Sequence, residues 1–216
     1  MKRFCVLFTA FALLAAVPLS AAPPAGTAQS FIAFTGGSVW NSQSTGTCVW
    51  YFPVLSDLPL TSLFATDQAG NPVIDMPHAY FLWVSDWSIQ GTPFTNSGFG
   101  GATVTLAVLP AGRATIYYSP NPTSRDLRTP GDPHARGSWG TPIATFVRGG
   151  GLFQSPDGFV TSDKFYFSAP LLESKTILLN GKPFNFRDLM PHGMTCFEYG
   201  QSFSTTETGS CVAMGN

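Results

Sequence analysis

The chain has 216 residues, with 11 basic residues, 12 acidic residues, three histidines and a net charge of −1; 11% of its residues are charged and 14% aromatic. Globular domains are about 25% charged, so Ser, Thr, Asn and Gly must cover much of this surface, and no basic run exists to hold nucleic acid or an anionic lipid face. With 22 Gly, 18 Pro and no Glu-, Lys- or Ala-rich helical stretch beyond the first 28 residues, the composition favours strands joined by tight turns over helices.

The first 22 residues read as a cleavable secretory signal. Lys2 and Arg3 precede an unbroken apolar or small run from Phe4 to Val17, and Pro18 to Ala22 supply a helix breaker and a small-x-small cleavage site at Ser20-x-Ala22. The run falls short of the roughly 20 residues of a transmembrane helix, and no later segment is long and apolar enough to span. Loss of Lys2 and Arg3 would leave nine basic residues against twelve acidic ones. The expected location is extracytoplasmic, either secreted or periplasmic. Residues 23–29 read as a flexible lead, and residues 30–216 as a single β-rich domain, within the usual size of about 50–250 residues.

Strand signals then recur. Ser30 to Phe34 and Thr47 to Val54 are β-branched or aromatic runs bounded by Gly and Ser. Ser56 to Ala65 holds one short helical turn. Ala79 to Ile89 predicts an interior strand, with Phe81, Trp83, Ser85 and Trp87 on one face and Tyr80, Leu82, Val84 and Asp86 on the other. Thr103 to Leu109 and Ala114 to Tyr118 read as a hairpin around Pro110-Ala111-Gly112-Arg113. Ser155-Pro156-Asp157-Gly158 marks a second turn, and Phe165 to Ser168 another strand. Asn180-Gly181 between Thr176–Leu179 and Phe184–Phe186 is the strongest hairpin signal in the chain. The pattern predicts an all-β domain of about eight to eleven short antiparallel strands, either a β-sandwich or a closed β-barrel, with very little helix.

Ser119 to Gly140 stands apart. It carries Pro120, Pro122, Pro130 and Pro133 among Arg125, Asp126, Arg128, Asp132, His134 and Arg136. A loop of this length in a compact domain is usually functional or disordered.

Three cysteines follow the signal. Cys196 and Cys211 lie close in sequence and are expected to pair in an oxidising compartment, leaving Cys48 free and buried; a bridge from Cys48 to either of them is the alternative.

No nucleophile elbow, zincin motif, phosphate-binding loop or paired-cysteine zinc spacing is present, so no reaction is fixed. Three candidate sites remain. Met190, His192 and Met194, with Cys196, put soft sulfur and imidazole on one side of an extended segment, the donor set of copper; no other cofactor is expected. Arg125, Arg128 and Arg136 can clamp an acidic group, with Asp132 orienting His134 as a general base. Trp139, then Trp40, are the candidate exposed aromatics for stacking on a sugar.

The first reading is therefore a secreted or periplasmic, non-catalytic β domain that binds a small molecule, glycan or protein through loops and exposed aromatics. The alternatives are a hydrolytic enzyme built on His134 and Asp132, and an extracytoplasmic copper-binding protein.

Overall fold

The computed structural model describes residues 30–40, 45–88, 94–97, 103–109, 112–127, 135–149, 151–155, 163–200 and 207–214. The predicted signal and lead lie outside them. The fold is all-β: fourteen strands and two four-residue helices occur among the described residues.

The strands are β1 (Phe31–Trp40), β2 (Thr45–Leu55), β3 (Phe81–Ser88), β4 (Phe94–Ser97), β5 (Thr103–Leu109), β6 (Gly112–Tyr118), β7 (Thr141–Arg148) and β8 (Gly151–Ser155). They continue with β9 (Asp163–Ala169), β10 (Leu171–Ser174), β11 (Ile177–Leu179), β12 (Lys182–Phe184), β13 (Met194–Gly200) and β14 (Glu207–Ala213). Twelve of them form one sheet, and β11 and β12 a separate ribbon.

The pairing register shows that several of these strands are halves of longer passes. Leu109 pairs with Gly151, and Gly112 with Arg148, so the β5–β8 and β6–β7 ladders are in one register. β5 and β6 do not pair with each other. The expected pairing of Thr103–Leu109 with Ala114–Tyr118 is therefore corrected, since these strands pair with β8 and β7 instead, while Pro110 and Ala111 lie outside the described residues. Turn-forming residues make a bend as readily as a reversal, and only the long-range partners decide which. β7 and β8 are the partners of the β5–β6 pass, β4 pairs with β5 one residue out of the β3–β6 register, and β9 and β10 pair with β8 and β7.

Eight passes result: β1, β2, β3–β4, β5–β6, β7–β8, β9–β10, β13 and β14. Each is antiparallel to the next in sequence, and β14 pairs with β1. The sheet thus rolls round to meet itself as an up-and-down barrel, which leaves few free edges. The β7 to β9–β10 seam is fastened by β10–β7 pairing and by the amides of Val147 and Gly149, which donate to Pro170 and Ser168.

One end of the barrel is stopped. The segments after β2 and after β10 carry helix α1 (Leu60–Leu63), the β11–β12 ribbon and helix α2 (Phe186–Leu189). They seat Leu63, Phe64, Leu179, Phe186 and Met190 in the core. The ribbon turns at Asn180 and Gly181, with φ of 51° and 75°. That is the paired left-handed geometry Asn-Gly supplies at least cost. Above this stopper the interior is filled by rings. Trp83 touches Phe34, Trp50, Phe52 and Phe167 at centroid distances of 4.8–6.0 Å.

Both faces of β3 are buried from Phe81 to Ser85, as its sequence predicts. Phe81, Trp83 and Ser85 face the interior, while Leu82 and Val84 lie in a second apolar cluster with Val49 and Trp139. Trp139, with Leu127, covers the outside of β2, β3 and β6 at Val49, Leu82, Val84 and Tyr117.

Candidate functional site

The three sequence candidates meet different fates. Trp139, expected to be exposed, is 0% exposed. Its ring packs edge-on to Tyr117, its Nε1 donates to Asp126 O at 2.8 Å, and the Arg136 guanidinium lies 5.8 Å over its face. It offers no surface to a ligand.

Two of the three clamp arginines are engaged within the protein. Arg125 is buried and donates to three backbone carbonyls, those of Trp139 at 2.9 Å, Tyr80 at 2.7 Å and Ala79. It staples the long loop to the segment before β3. Burial lowers its pKa to about 10, which leaves it cationic at neutral pH. Arg136 grips Asp86 with two nitrogens, at 2.8 and 2.5 Å. Arg128, Asp132 and His134 lie outside the described residues, as does the side chain of Trp40.

The Met190, His192 and Met194 set is pulled apart. Met190 and Met194 are buried in the core, while His192 sits exposed in the turn between them. The chain turns at Pro191–His192 and Gly193 (φ 96°), so the extended geometry that would align the donors is absent. Cys196 is bonded to Cys211 across the β13–β14 pair, and Cys48 is buried outside any disulfide, both as expected.

Two other groupings emerge. The first is on the outer wall. On β13 the odd positions Thr195, Phe197 and Tyr199 point outward while Met194, Cys196 and Glu198 point in. Register places Phe197 beside Tyr166 and Ser210, Tyr199 beside Lys164 and Thr208, and Thr195 beside Ser168 and Val212. Val212 in turn faces Phe31 on β1. The rings of Tyr166 and Phe197 are 5.0 Å apart. Tyr166, Phe197, Tyr199 and Phe31 are 38–50% exposed. Lys164 is the one charged residue among these outward positions. An uncovered row of rings set among hydroxyls is the chemistry sought in Trp139, carried by other residues. The outward alternation Thr195, Phe197, Tyr199 was the sequence signal for it.

The second grouping is inside, at the end of the barrel opposite the stopper. Cys48, Ser85, Arg148, Glu198 and Glu207 are all buried there. Donor atoms of Cys48, Glu198 and Glu207 lie within 4.8 Å of one another. Ser85 faces Cys48 across the β2–β3 ladder. Trp50 Nε1 donates to Glu207 Oε2 at 2.9 Å. Burial lowers the pKa of Arg148, and the neighbouring Cys48, Glu198 and Asp86 oppose that shift. The sequence hid this grouping, because its members come from strands far apart in the chain.

Comparison with family models, with curated proteins and with solved structures finds no match to this chain.

Proposed function

We propose that the protein is a non-catalytic, extracytoplasmic β-barrel that binds a neutral glycan on the outer face of β9, β13, β14 and β1. The observation that carries this reading is the outward row of Tyr166, Phe197, Tyr199 and Phe31 among Ser and Thr hydroxyls. Sugar rings present C–H faces that stack on aromatic rings, and hydroxyls that pair with the flanking side chains. Exposed apolar rows on a soluble surface mark binding sites more often than chance. The scarcity of charge on this face favours a neutral ligand over an acidic one. Export rests on the signal-like first 22 residues and agrees with the Cys196–Cys211 bond.

The test is thermal unfolding of the chain against a panel of neutral and acidic oligosaccharides. A ligand at 100 times its Kd that binds only the folded state adds about 2.7 kcal/mol, which shifts the midpoint by several degrees. A shift with a neutral sugar, lost in Phe197→Ala/Tyr199→Ala, is expected. A folded protein that responds to none of the panel overturns the reading.

A further inference from the structure

Independently of the outer face, we propose that Cys48, Glu198 and Glu207 form a buried site for a divalent cation of the zinc class. The three residues come from β2, β13 and β14, and their donor atoms fall within 4.8 Å of one another. That spread suits one ion: sulfur and oxygen ligands bind zinc at about 2.0–2.3 Å, so ligands around it sit a few ångströms apart. All three are borne on strands of the closed sheet, so the geometry is held by the ladder and not by a loop.

A second observation points to the same place. Ser85 is 1% exposed, lies opposite Cys48 in the ladder, and its Oγ has no hydrogen-bond partner among the described residues. A buried hydroxyl left without a partner costs free energy. A metal-bound water or the metal itself, beside Cys48, would satisfy it and complete four-coordination.

Charge among the three donors points the same way. A thiolate and two carboxylates carry three negative charges, and Arg148, buried beside Cys48 and Glu198, offsets part of them. A divalent ion at their centre would lower the penalty of burying like charges together. The indole N–H of Trp50 holds Glu207 Oε2 and leaves the other oxygen for the ion. One thiolate with two carboxylates is a mixed donor set that suits zinc or cobalt, not the all-soft set that selects copper(I).

The experiment is a Co²⁺ and Zn²⁺ titration of the chain after chelator dialysis. One Co²⁺ per chain is expected, with the near-ultraviolet thiolate-to-cobalt absorption that only sulfur ligation gives. Zn²⁺ should displace it. Cys48→Ser should abolish the thiolate band, and Glu207→Gln or Glu198→Gln should weaken binding by about tenfold or more. Should a variant fail to fold, the alkylation rate of Cys48 in the unmutated protein decides: Zn²⁺ must slow it. Folded protein that takes up no metal, takes it up without the thiolate band, or shows Zn²⁺-independent alkylation overturns the proposal.

Discussion

The indole of Trp50 reaches across β1 to Glu207, donating a 2.9 Å hydrogen bond from strand β2 to strand β14. The residue between them is Gly36, which pairs with Trp50 on one side and Glu207 on the other. A Cβ at Gly36 would collide with the Val49 backbone and come within 2.7 Å of Trp50 Cα. Gly36 is therefore required by close approach of two strands.

Gly36→Ala is expected to destabilise the barrel by about 1–3 kcal/mol through overpacking. Chemical denaturation measures it. An unchanged midpoint would show that β1 and β2 are not held as closely as described.

Arg125→Met tests the staple of the long loop. The substitution keeps much of the side-chain volume but removes the donor to the carbonyls of Trp139 and Ala79, while Tyr80 O keeps the Ser119 amide. A loss of about 3 kcal/mol is expected, since buried unsatisfied groups cost about 1–3 kcal/mol each. Tryptophan fluorescence should report increased exposure of Trp139. A sugar or acid ligand whose affinity falls with stability unchanged would instead restore the arginine clamp.

These two residues show what the sequence could and could not disclose. Local signals were legible: the interior strand at Phe81–Ser88, the Asn180-Gly181 hairpin and the helical turn at Leu60–Leu63 all follow from spacing and turn chemistry. The Cys196–Cys211 pair followed from proximity in the chain. Partnerships across the barrel were not legible. Pro110 to Arg113 reads as a reversal until the register of β5–β8 and β6–β7 is known. Arg125 reads as a ligand clamp until its three carbonyl acceptors are in view. Trp139 flanks a polar loop in sequence yet closes over an apolar patch of the barrel wall.

Asp86 links the loop to β3 through Arg136. Burial acts to raise its pKa, but hydrogen bonds from Arg136 and Thr47, with the charges of Arg136 and Arg148, outweigh it and hold the carboxyl below its usual range. A depressed carboxyl stabilises the fold above its unfolded pKa of about 3.9 and ceases to do so as pH falls through the folded value. Asp86→Asn should thus be less stable than the parent at neutral pH, and the gap should close in acid below about pH 4. Because the carboxylate is more than half exposed, at 57%, the gap should be no more than about 1 kcal/mol. Urea midpoints from pH 2 to 7 measure it, and a gap that widens in acid would contradict the assignment.

The Cys196–Cys211 bond closes a loop of 15 residues between β13 and β14. Loops of that length give about 3 kcal/mol by chain entropy. Cys196→Ala/Cys211→Ala is expected to lower the melting temperature by roughly 6–12 °C, at about 2–4 °C per kcal/mol for a domain of this size. Differential scanning calorimetry of both proteins is the check.

The most direct test of glycan binding is affinity electrophoresis of the chain through native gels containing soluble neutral polysaccharides, such as hydroxyethylcellulose, mannan or β-1,3-glucan. The parent protein should be retarded by at least one of them. Tyr166→Ala/Phe197→Ala/Tyr199→Ala should run freely with its circular dichroism unchanged. Retardation that survives intact in the folded triple variant would contradict the assignment of the outer aromatic face as the binding site.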